Sequence, residues 1–149
     1  MEEAALNPME KDVIVELSSV AMGSSTTALS NLIQSTVRFS PPAAGLKTVE
    51  SLKEQHAEPG VLISVNMDME KEIINFLYLQ GDEAVRLAAI ILGREEGPLQ
   101  VGEEELGALT EAAGIIMSAY AAALSGFLSQ NINVKSPQVE KLSIAEKDF

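Results

Sequence analysis

The stretch ELSSVAMGSSTTALS runs from Glu16 to Ser30, and EAAGIIMSAYAAALS runs from Glu111 to Ser125. Slid by ninety-five positions with no gap, Glu16 falls on Glu111, Met22 on Met117, and Ala28-Leu29-Ser30 on Ala123-Leu124-Ser125. Pro42 falls on Pro137, so the break in the strand expected after each helix is shared as well. A shared order of helix, strand and proline points to an internal duplication. Within a copy, positions 16, 19, 23, 26 and 30 lie on one face of a helix by the three-and-four rule. In the first copy that face is Glu16, Ser19, Gly23, Thr26 and Ser30; in the second it is Glu111, Gly114, Ser118, Ala121 and Ser125. The other faces carry Leu17, Ala21, Ala28 and Leu32, or Ala112, Ile116, Ala123 and Phe127, which suits packing onto a sheet. A small-residue face has a structural reading, in which two helices related by a pseudo-twofold approach closely or lie flat on the sheet. That reading leaves the glutamate at the head of both copies unexplained.

Working outward, Asn7-Pro8-Met9-Glu10 is a helix start, with Asn7 as cap, Pro8 at the first helical position and Glu10 reaching back. Only Gly23 interrupts the helix pattern from there to about Gln34. TVRFS (36–40) reads as a short strand stopped by Pro41-Pro42, and KTVESL (47–52) as a second one. The clearest strands are VLISVNMD (61–68) and EIINFLYLQ (72–80), joined by a short polar link as an antiparallel hairpin. Gly81-Asp82 opens a helix that Gly93 ends. REEGPLQ (94–100) reads as a surface turn. A second long helix spans about 102–129, with acids in its first turn where the helix dipole favours them. NINVKSPQVEKLS (131–143) is a closing strand interrupted by Pro137, and AEKDF at the C-terminus is expected to fray.

The whole chain sets limits. Its 149 residues suffice for one domain over 1–149, with repeat halves at about 8–42 and 103–137 and a central hairpin and helix between them. Acidic residues outnumber basic ones by 22 to 10, for a net charge of −12. That argues against nucleic acid or an anionic membrane as partner, and a basic protein surface would instead be steered in. There is no cysteine and one histidine, His56, so disulfides and Cys/His zinc sites are excluded. MEEAAL is not a signal peptide, and no apolar run approaches the roughly 20 residues a membrane helix needs. The expectation is a cytoplasmic protein without membrane insertion and with no cofactor. Asp68 and Glu70 share one face of a strand, which reads as a solvated strand end in preference to a metal site. His56 reads as an exposed loop histidine, and GREEG lacks the lysine and hydroxyl of a phosphate loop.

Glutamate, two residues, a third position, then AMGSSTTALS, repeated in a second helix, resembles the CheC-type phosphatases of bacterial chemotaxis, above all the CheC-like domains of FliY-type flagellar switch proteins. VAMGSSTTALSNLIQSTVRFSPP is similar to that family's first helix and strand, and EAAGIIMSAYAAALSGFLSQNINVKSPQV to its second. The resemblance covers nearly the whole chain. It implies an α+β fold: a pseudo-twofold αβ repeat with a mostly antiparallel sheet and two long equivalent helices on one face. It also implies a chemotaxis or flagellar-switch role, with a CheY-like response regulator and flagellar switch proteins as partners and a place at the cytoplasmic side of the flagellar switch. Active members remove phosphate from the aspartyl phosphate of CheY. There the glutamate engages a basic group on CheY and an asparagine three residues on positions the attacking water.

In this sequence the glutamates carry over as Glu16 and Glu111, while the asparagine positions hold Ser19 and Gly114. A serine hydroxyl is shorter and rotatable, and glycine offers no side chain. An amide suits the task because it donates and accepts from a fixed plane, and losing one placed polar group in an active site commonly costs about 10²–10³ in rate. The resemblance therefore implies a weak or absent phosphatase, Glu16 with Ser19 being the better residual pair. Two alternatives stay open: an active CheY-phosphate phosphatase with an atypical site, and a purely structural rotor subunit like the FliM middle domain.

Overall fold

The computed structural model describes residues 5–40, 42–95 and 100–149. The first helix, α1 (Pro8–Ile33), opens as its sequence dictates: Asn7 Oδ1 accepts from the Glu10 N–H at 2.8 Å, and the Glu10 carboxylate accepts from the Asn7 N–H at 2.9 Å. A reciprocal cap of this kind is worth about 1 kcal/mol. The helix ends on Gln34, whose φ of 55° is left-handed. The other long helix, here α4 (Glu103–Leu128), is also 26 residues, and it ends on a left-handed Ser129 with φ 51°. Start, length and cap thus recur ninety-five positions apart.

Between them lie α2 (Val49–Gln55), the hairpin β1 (Gly60–Asp68) and β2 (Glu72–Gln80), and α3 (Gly81–Ile91). The hairpin is antiparallel throughout, from Gly60 opposite Gln80 to Asp68 opposite Glu72. Gly60 accepts no side chain, because a Cβ there would overlap the Leu79 carbonyl oxygen. On the other side of β1, β3 (Asn133–Val134) pairs with Asp68 and Met67, and β4 (Gln138–Lys141) pairs with Ser64 to Val61. Pro137 stands between the two short strands, as expected of a residue that cannot donate to a ladder.

The core forms where one face of the sheet meets α3 and α4. Val61, Ile63, Val65 and Met67 alternate onto that face and meet Ala84 and Ala88 of α3 and Leu109, Ala113 and Met117 of α4. By length and composition α4 is apolar enough to cross a membrane, which corrects the expectation of no such run; in this fold its apolar side is spent on the core. Both long helices lie on the same side of the sheet, α4 against the strands and α1 stacked mainly on α4. Ser25 Oγ donates toward both the Ala21 carbonyl (3.1 Å) and the Ile116 carbonyl (3.0 Å), tying the helices through two acceptors that are repeat mates of each other.

Three expectations are corrected. TVRFS forms no strand, KTVESL gives way to helix α2, and the C-terminus does not simply fray. For α2 the reason is local: the Thr48 hydroxyl accepts from the Ser51 N–H at 3.1 Å and starts a helix that the β-branched residues alone do not announce. Residues Ile144–Glu146 make a 3₁₀ turn that packs against α2, Lys147 bonds Glu140 at 2.7 Å, and Phe149 stacks edge-on against Phe76 at 5.2 Å. The turn expected over 94–100 lies partly outside the described residues. His56 is half-buried against the Tyr78 ring, 5.6 Å away, in place of the exposed loop position expected of it.

The entry to α4 carries a charged clamp. Glu105 is buried, and its carboxylate accepts from the Gly102 N–H at 2.9 Å and from Arg94 at 3.1 Å. Its own backbone N–H holds the carboxyl below the usual range; burial opposes this, and the Gly102 amide and Arg94 reinforce it. A carboxyl depressed in the folded state contributes stability that is fully present above the unfolded value of about 4.3 and is lost as pH falls through the folded value. Arg94→Ala is therefore expected to move the acid-unfolding midpoint to higher pH, read by circular dichroism at constant salt. An unchanged midpoint would remove Arg94 from the clamp.

Candidate functional site

The two glutamate-led faces are presented differently. On α1, Glu16 is exposed and Ser19 is half-buried. The Ser19 hydroxyl donates to the Val15 carbonyl at 2.7 Å, four residues back in its own helix. Thr26 does the same toward Met22 at 2.7 Å, and Ser30 Oγ accepts from the Val37 N–H at 2.9 Å. Hydroxyls in mid-helix commonly bond back to the preceding turn. The polar stripe of the first copy is thus largely tied to its own backbone.

On α4, Glu111 is exposed and Gly114 is half-buried, and both line an open groove. One wall is α4, with Leu106, Gly107 and Ser118 beside the two site positions; the other is the β3–β4 connection, with Lys135, Ser136 and Pro137. A Cβ built on Gly114 would lie 3.7 Å from the Pro137 ring, an ordinary contact, so the position has room for a side chain. Lys135 is held from the strand side, 3.6 Å from Asp68 and 3.4 Å from Glu72, and these two carboxylates, Asp68 foremost, raise its ammonium above the usual lysine value. That pairing also accounts for Asp68, which stands at a solvated strand end bound to a lysine. Among the described residues no group of three or more His, Asp or Glu side chains is placed to hold a metal.

The fold does not gather Glu16, Ser19, Glu111 and Gly114 into one pocket: the groove's walls come from α4 and the β3–β4 segment alone. Nor does the small-residue face cement the helix pair, whose hydrogen bonds come from Ser25 and, at 3.5 Å, from Tyr120 to Ser18. Sequence reasoning named the glutamates and the two substituted positions but missed the wall of Lys135 and Ser136. Its one sequence signal was Pro137, shared with Pro42 in the repeat.

No family model matches the chain. Over 144 residues, 95% of this chain, the sequence is 30% identical to the flagellar motor switch phosphatase FliY of Bacillus subtilis (strain 168), and it spans 38% of that protein's length. The crystal structure of Thermotoga maritima FliY superposes with a TM-score of 0.87 at 29% identity, over 95% of this chain and 72% of that one. A CheC-like superfamily protein from Shewanella sp. PV-4 shares the fold, with a TM-score of 0.64 at 16% identity, over 90% of this chain and 83% of the other. By sequence and by fold the chain is a homologue of FliY over nearly its whole length, and its fold is the one shared with the CheC-like superfamily protein.

Proposed function

We propose that this single CheC-like domain docks a CheY-like response regulator or a flagellar switch subunit through the outer faces of α1 and α4, and that its phosphatase sites are degenerate. The setting would be the cytoplasmic side of the flagellar switch. The observation that carries the reading is the pair of substituted positions. Glu16 and Glu111 stay exposed and able to meet a basic group, whereas the Ser19 hydroxyl is turned onto Val15 and Gly114 brings no side-chain atom to its groove. In-line attack of water on an aspartyl phosphate depends on positioning. Neither position supplies a planar donor and acceptor for that task. The acidic surface, −12 overall, suits a partner with a basic face.

The test joins binding with turnover. Titration of the chain against a phosphorylated CheY-like regulator from the same organism is expected to show binding that weakens at least about tenfold in Glu16→Ala/Glu111→Ala, roughly 1.4 kcal/mol. Phosphate release is expected to match buffer. Release well above buffer that Glu16→Ala abolishes would favour the atypical phosphatase. Absence of binding to the regulator in either phosphorylation state would leave the structural rotor reading.

A further inference from the structure

The groove beside Glu111 belongs to the second copy alone. Ninety-five positions before Glu103, Leu106 and Gly107 stand Pro8, Lys11 and Asp12, so α1 repeats neither its apolar floor nor its glycine. The groove holds about 1060 Å³ and follows α4 from Glu103 to Ser118, about 22 Å at the helical rise. Leu106, Ile115, Val134 and Val139 make its lining apolar. It widens toward the start of the helix: a Cβ on Gly114 would lie 3.7 Å from Pro137, whereas one on Gly107 would meet nothing within 4 Å. Gly107 is exposed, and glycine is the poorest helix former after proline. No neighbour inside the fold requires the missing side chain there. The charges at this end are uncompensated. Arg94 holds Glu104 and Glu105, but Glu103 and Glu111, one turn before and one turn after Gly107, have no ion-pair partner among the described residues. Lys135 on the opposite wall is already paired to Asp68 and Glu72. The cavity of about 530 Å³ beside β2, between α1, α4 and the strands, differs in kind, since none of the side chains lining it is charged.

A groove that is apolar along its floor and acidic along its rim complements an amphipathic helix with basic residues beside its apolar face. We propose that it seats such a helix from the protein partner, with an apolar side chain over Gly107 and a lysine or arginine reaching each of Glu103 and Glu111. Glu103, Gly107 and Glu111 follow one another at four-residue intervals, the row along which helices interdigitate. The two glutamates stand two turns apart, about 12 Å, which matches cations seven or eight residues apart on one face of the incoming helix. Glycine between them lets the partner's backbone approach more closely than any other residue would. The charges select among occupants. Glu103 and Glu111 would repel an acidic segment, and against a purely apolar one they would lose hydration without gaining a partner. The inference rests on the reading that the outer face of α4 docks a protein, and it extends that face two turns toward the helix start, beyond Glu111 and Gly114. One helix binds per chain, because the first copy has no equivalent groove.

Two synthetic amphipathic helices test it, alike in a leucine face and flanked either by lysines or by glutamates. Titrated into the isotope-labelled native chain, the lysine helix is expected to bind one per chain and to shift the amide signals of 103–118 and 134–139. It is expected to bind at least about tenfold more tightly than the glutamate helix. Gly107→Leu fills the seat and is expected to weaken the lysine helix at least about tenfold, while the thermal midpoint holds or rises because leucine is the better helix former. Should that variant fail to fold, Glu103→Gln is read in its place, with a loss of at least about threefold expected. No binding, equal affinity for both helices, binding that leaves the groove signals unmoved, or binding that the variants leave intact would each overturn the seat. The CheY-like regulator, titrated alongside, separates the two readings. A regulator that binds while the lysine helix does not would keep the docking proposal and overturn this inference; a lysine helix that binds while the regulator does not would do the reverse.

Discussion

Replacing Ser19 and Gly114 together by asparagine is expected to raise phosphate release from a phosphorylated CheY-like regulator by about 10²–10³-fold over the native chain, the range typical of one well-placed polar group in an active site. The structure makes the substitution feasible at both positions. Gly114 faces an open groove in which a Cβ meets only the Pro137 ring at 3.7 Å, and glycine is the poorer helix former, so asparagine there does not work against the fold. At position 19 the exchange removes a hydroxyl bonded to Val15 and supplies an amide long enough to project beyond its own helical turn. The glutamates need no change. Single variants separate the sites: if Gly114→Asn alone gives most of the gain, the walled groove on α4 is the productive face. A double variant that still matches buffer, while binding the regulator as the native chain does, would overturn the proposal that absent amides at these two positions limit phosphate release.

Leu109→Ala is expected to have the largest effect on stability, about 3 kcal/mol, read as a lowered urea midpoint with an unchanged slope. Leu109 is 1% exposed, sits on the face of α4 that meets the sheet, and borders the cavity beside β2. Truncation both removes its buried methyl groups and enlarges a space that its neighbours already fail to fill, so relaxation recovers little. A loss under about 1 kcal/mol would mean that the cavity collapses around the shortened side chain.

What the sequence by itself determined is what local chemistry decides. Asn7, Pro8 and Glu10 specify the start of α1 through three adjacent residues, and a left-handed Gly93, φ 70°, closes α3 as a glycine should. The hairpin needed only two β-rich runs and a short polar link. The repeat was legible because both copies kept register, and with it Ser19 and Gly114, the two positions at which the resemblance implies asparagine. Tertiary structure alone decided whatever depends on a distant partner. TVRFS and NINVKSPQV are comparable strand-forming runs, yet only the second lies along a strand edge, that of β1, and pairs with it. KTVESL was drawn into a helix by a cap and by the C-terminal turn packed against it. The wall that makes Glu111 part of a groove comes from Lys135, Ser136 and Pro137, more than twenty positions along the chain, and no local pattern brings them together. Charge, cap and periodicity act over a few residues and can be read from their order; edges, cavities and grooves are shared between segments, and appear only when the chain has closed on itself.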